Sequence, residues 1–69
     1  MVDSVALENA IKEAGFTITD FAEEIGISRA SFYLKIRNKR EFKSREISRI
    51  CSRLNLDIYK KDAIFLQTM

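Results

Sequence analysis

The 69-residue chain predicts an all-α protein, a compact bundle of four to five helices in a single domain. Three observations carry that expectation. Apolar residues recur at helical spacing, as in Leu7, Ala10, Ile11 and Ala14, and again in Ile47, Ile50, Cys51 and Leu54. There is no proline, and the two glycines, Gly15 and Gly26, each follow such a periodic run, where helices commonly end with positive φ. At 46% hydrophobic residues the chain fits neither a disordered polymer nor a turn-rich sandwich. A domain of this size buries only about 60% of its unfolded surface, so one small core must serve every helix.

The elements follow in order. Ser4 is a candidate cap for a first helix over about 4–14, with Gly15 ending it and Phe16 folding back as an apolar contact. Thr17 with Asp20 three positions later resembles a capping box, which starts a second helix. Phe21, Ala22 and Ile25 share one face of it, and it ends at Ile25 or Gly26. Ser28 is the next cap, and a third helix runs from about Arg29 to Arg37, with Phe32 and Ile36 packing back on Phe21 and Ile25. Ala22 is the small residue that lets helices two and three cross closely. A fourth helix covers about 44–54 and closes at Asn55, a residue that tolerates positive φ. The expected core is Phe21, Ile25, Phe32, Ile36, Ile47, Ile50 and Leu54. In the tail, about 57–69, a short fifth helix is expected from Asp57 through about Phe65. Its apolar cluster, Ala63-Ile64-Phe65-Leu66, is too dense for one stripe, so part of it is expected to pack on the core and part to face a partner, with Ile64, Phe65 and Leu66 the candidate dimer or partner surface.

A net charge of only +2 hides a sorted distribution. Residues 1–27 carry one lysine against six carboxylates, a net of −5. Residues 28–53 carry nine lysines and arginines against Glu41 and Glu46, a net of +7, and residues 54–69 balance. A generic basic run is more often a solvated helix face. Here the positive field is centred on the third helix, directly after a tight turn between two short helices, and that is the footprint of a nucleic-acid binder. No aromatic stacking platform for RNA is visible, which favours double-stranded DNA.

Other classes are disfavoured. Cys51 is the single cysteine and there is no histidine, so neither a disulfide nor a zinc site is expected. No Gly-rich phosphate loop occurs, and no enzymatic activity or cofactor is expected. No 18-residue apolar run offers a membrane span, and the first residues lack the pattern of a secretory signal. The expectation is a cytoplasmic protein, nucleoid-associated when bound to DNA.

The run Ala22-x-x-x-Gly26-Ile27-Ser28 with apolar Phe32 and Ile36 resembles the helix-turn-helix of the phage Cro and CI repressor class. Within that class, the stretch from Gly26 to Phe42, continuing to Glu46-Ile47 and Leu54, is similar to small phage Cro-like regulators. The resemblance covers roughly residues 4–56 and implies a lambda-repressor-like bundle with its helix-turn-helix at about 17–37. The chain departs from the pattern in carrying Lys43 where a Thr or Ser usually stands three residues before Glu46, so Ser44 is expected to cap the fourth helix. It also spaces Phe32 and Ile36 by four, where many relatives of the wider class use three.

On this reading the third helix enters the major groove. Arg29, Ala30 and Tyr33 are the candidate base contacts: the first two follow the Ser28 cap, where a recognition helix meets base edges, and Tyr33 lies one turn on. The alternative for Arg29 is a phosphate contact or solvent, and for Tyr33 surface packing. Thr17, Thr19, Ser28, Ser31, Lys35, Asn38, Lys39, Arg40 and Lys43 are the candidate phosphate contacts, being hydroxyls, an amide and cations around the groove. The expected function is repression by covering a DNA operator, with a homodimer on a pseudo-palindrome because one half-site gives little specificity. The alternative is an antirepressor or adaptor that binds another phage repressor.

Overall fold

The computed structural model describes residues 1–65, and five helices follow one another there: α1 (Ser4–Glu13), α2 (Ile18–Glu24), α3 (Arg29–Ile36), α4 (Ser44–Leu54) and α5 (Ile58–Phe65). Local chemistry starts each of them. Asp3, Thr17, Ser28 and Asp57 accept from the backbone N–H groups of Ala6, Asp20, Ser31 and Lys60 at 2.8–3.2 Å, satisfying donors that a helix start leaves unpaired. Two expectations are corrected. Asp3, not Ser4, caps α1, because the Ser4 hydroxyl is taken up by the carbonyl of Ile36. Ser44 is the first residue of α4 and not its cap. The cap position is Lys43, whose backbone N–H donates to Glu46 Oε1 at 2.9 Å. A lysine side chain has no acceptor, so only this half of a capping box is made.

The helix ends repeat a single device. Gly15, Gly26, Asn38 and Asn55 all have positive φ, at +90°, +78°, +64° and +56°. Each donates its N–H to the carbonyl three residues back, and the next residue donates to the carbonyl five before it: Phe16 to Ile11, Ile27 to Ala22, Lys39 to Leu34, Leu56 to Cys51. This is the Schellman arrangement, and it closes α1 to α4 alike. Between α2 and α3 it leaves only residues 25–28 for the turn. Such a turn suits Gly26, whose φ of +78° is one that side chains resist.

The core is built from every helix. Leu7, Ile11, Phe21, Phe32, Ile36 and Ile50 are fully buried, with Val2, Ala22, Ile25, Ile27, Ile64 and Phe65 around them. Ile47 and Leu54, expected in this group, are half-buried at its edge. All five phenylalanines of the chain form one edge-to-face series, Phe16–Phe21–Phe32–Phe42–Phe65, with centroids 5.2–6.2 Å apart. The Asp3 N–H donates to the Ile64 carbonyl at 2.6 Å, which sets the end of α5 against the start of α1. The expected partner surface is therefore corrected. Ile64 and Phe65 lie in the core because α1 and Phe42 need an apolar cover, and Leu66 falls outside the described residues.

Phe32 has aromatic neighbours on both sides, so its removal leaves a cavity that no single side chain can collapse into. Phe32→Ala is expected to lower stability by about 3–5 kcal/mol in urea unfolding followed by circular dichroism. A loss under about 1 kcal/mol would show that α3 is not held through this ring.

Candidate nucleic-acid interface

The outer face of α3 follows from what its inner face packs against. Phe32 and Ile36 point into the core, Ala30 lies on the opposite side, Arg29 is exposed because it is the first residue of the helix, and Tyr33 lies half-buried one turn later. The tyrosine ring packs against the core, and the Arg37 guanidinium stacks on it, 5.4 Å from the centroid. Arg37 was not among the contacts expected from sequence. The signal for it is its spacing: it stands four residues after Tyr33, and such pairs touch on a helix. Leu34 is exposed on the same helix.

Beside the start of α3 an open depression brings together Ser28, Ser31, Arg40 and Lys43, with Glu41 and Glu46 also on its walls. Ser28 and Ser31 bring the helix N-terminus to the same depression as Arg40 and Lys43, groups of the kind that bind a phosphate. Lys39 is exposed in the same basic loop. Thr17 and Thr19 stand apart from the depression at the start of α2, where the Thr17 hydroxyl already caps the helix.

Two expected phosphate contacts are corrected. The Lys35 ammonium turns inward, donating to both carboxylate oxygens of Glu46 at 2.8 Å, and both residues are over nine-tenths buried. Lys35 follows Phe32 by three and Glu46 precedes Ile50 by four, so each charge sits on its helix's buried stripe, and pairing removes the penalty of leaving either alone. Asn38 ends α3, and its side-chain amide is engaged with the backbone of Val2, accepting from the N–H at 2.8 Å and donating to the carbonyl at 3.0 Å. Two more cations of the basic segment also serve the fold. Arg49 donates to the Ile25 carbonyl at 3.2 Å, at the end of α2, and Arg53 pairs with Glu24 at 3.0 Å. Of the nine cations in residues 28–53, removing Lys35, Arg49 and Arg53 leaves six: Arg29, Arg37, Lys39, Arg40, Lys43 and Arg45.

Burial pushes the Glu46 carboxyl up, but the hydrogen bond from Lys35, the Lys43 N–H and the charges of both lysines outweigh it and hold the group below its ordinary value. Cys51 is half-buried on α4, and burial pushes its thiol up against a smaller opposing effect of Lys61, which suits packing rather than reactivity.

A helix-turn-helix with a cationic outer face is thus in place. The sequence profile of the Cro/C1-type HTH DNA-binding domain matches residues 6–59. The chain belongs to that family. No curated protein and no solved structure matches it. The Cro/C1-type match runs from α1 into the start of α5 and contains α2, the turn and α3 whole. The protein is therefore a DNA-binding regulator of the Cro/C1 type, and no helix among the described residues is long and apolar enough to cross a membrane.

The two classes of lysine should separate cleanly. Lys35→Met strands a buried carboxylate and is expected to cost about 3–5 kcal/mol of stability, whereas Lys39→Met changes it by less than about 0.5 kcal/mol. Equal effects in urea unfolding would refute the assignment. The folded-state pKa of Glu46 lies below the unfolded one, so its contribution is present above the ordinary value of 4.5 and lost as pH falls through the folded value. Glu46→Gln should flatten that acid-side loss in a pH series.

Proposed function

We propose that this Cro/C1-type protein is a sequence-specific repressor of the phage Cro-like kind, which covers an operator and blocks polymerase without a catalytic step. The observation that carries this reading is the outer face of α3. Exposed Arg29, Ala30 and Arg37 lie there with Tyr33, whose ring is half-buried against the core that holds Phe32 and Ile36. Arg29, near the N-terminal end, is the side chain to reach a guanine edge, and Tyr33 is suited to a thymine methyl. Ser28, Ser31, Lys39, Arg40 and Lys43 are proposed to bind phosphates and set the register, with Thr17 and Thr19 on the α2 side.

Specificity at useful levels calls for two copies on a pseudo-palindrome. With Ile64 and Phe65 committed to the core, the proposed apolar contacts for a second copy are Ile58 and Tyr59, 65% and 81% exposed at the start of α5. The same exposure, with that of Leu34 and Val5, favours one other reading: an antirepressor or adaptor that binds another repressor through these residues.

Selection from random duplexes at about 0.15 M salt tests the choice. The natural chain is expected to enrich a short motif that Arg29→Ala loses or relaxes. With five or six phosphates neutralised, the log–log salt slope should be about −5. A folded protein that enriches nothing and shows a slope near zero would be an adaptor, and its binding would then depend on Tyr59 or Leu34.

A further inference from the structure

The end of α3 is held by the first residues of the chain. Asn38 takes both backbone polar groups of Val2, at 2.8 and 3.0 Å, in the manner of a neighbouring strand. The Ser4 hydroxyl donates to the carbonyl of Ile36, one of the carbonyls that a helix end leaves without an intrahelical partner. The strap is anchored at its other side too: the Val2 side chain is 4% exposed in the core, and the Asp3 N–H is bound to the Ile64 carbonyl of α5. The residue between the two tied positions, 36 and 38, is Arg37, whose guanidinium lies on the Tyr33 ring.

We infer that residues 2–4 form a strap that fixes the C-terminal end of α3, with Asn38 as a positioning residue that acts through Arg37, which stacks on Tyr33 of the outer face. The inference rests on the DNA-reading function proposed above and adds to it a role for Asn38 that is not contact with phosphate. A positive-φ position could be filled by glycine, as at Gly15 and Gly26, and glycine would close the helix equally well. Asparagine at 38 supplies what glycine lacks, a donor and an acceptor that meet Val2. Without them the backbone at 37–38 keeps its turn but loses its tie to Val2, so that only the Ser4–Ile36 bond still holds this end, and Arg37 loses a fixed origin for its stacked arrangement.

Asn38→Gly isolates this effect, since it retains the backbone conformation and deletes both bonds. Its binding to the duplex selected by the natural chain, and to a scrambled duplex, is measured beside Arg37→Ala and the double variant, with circular dichroism establishing that each is folded. Asn38→Gly is expected to weaken specific binding about tenfold while leaving the scrambled duplex unaffected. The double variant should be no weaker than Arg37→Ala alone, a non-additivity that a merely stabilising role would not produce. Asn38→Asp, which keeps the acceptor and loses the donor, should fall between, and it carries the test if the glycine variant fails to fold. Specific binding unchanged, or losses that simply add, would overturn the strap while leaving the DNA-reading function intact. A natural chain that selects no duplex would overturn both.

Discussion

The placement of α3 depends on one aromatic series. Phe32 is its middle member, edge-to-face with Phe21 of α2 on one side and with Phe42 of the basic loop on the other. Phe16 and Phe65 extend the series to the end of α1 and to α5. Such pairs add roughly 0.5–1.5 kcal/mol each beyond the area they bury, and they also fix angles, because an edge-to-face contact is directional. A helix of eight residues is too short to hold its own orientation, or even to persist alone. Its rotation about its axis is therefore set by Phe32, and with it the direction in which Arg29, Ala30 and Tyr33 face. The polar outer face is a consequence of the aromatic inner one.

Electrostatics divides along the same line. The basic segment is not a uniform coating: Lys35 and Arg49 tie helices to α4 from within or beneath, and Arg53 makes an exposed pair with Glu24 worth little by itself. Glu46 has the densest set of duties, since one carboxylate takes Lys35 and also the N–H of Lys43, the residue that caps α4. A buried pair of this kind gives registry between α3 and α4 more than net stability. The six remaining cations, spread from Arg29 to Arg45, make the field that a phosphate backbone would meet, and the acidic helices α1 and α2 leave it one-sided.

Much of this was legible in the sequence because it is local. Thr17 and Ser28 announce their helices through hydroxyls that reach three residues, and Gly15, Gly26 and Asn55 mark ends by a backbone conformation that few residues accept. The inward faces of α2 and α3 were legible from spacing alone. What spacing does not carry is destination. The periodicity of Ile64 and Phe65 says that they need cover, but whether the cover is α1 and Phe42 or a second molecule is decided by a chain reversal some sixty residues away from Asp3, in the Asp3–Ile64 bond.

Asn38 shows the limit most clearly. As a polar residue in a basic loop it looks like a phosphate ligand, and only the Val2 backbone, 36 residues away, reveals that its amide is occupied. Lys35 differs, because its clue was present: three residues after Phe32, it falls on the buried stripe, and a charge there requires a partner of opposite sign on a facing stripe, which Glu46 supplies. A cation in a basic segment should therefore be assigned by its helical phase before its charge. Applied to the cations on α3 and at its end, phase sends Lys35 inward and leaves Arg37 outward, while Arg29, in phase with Ile36, is exposed because it is the first residue of the helix. That division, rather than the net charge of the segment, separates the cations that serve the fold from those proposed to meet DNA.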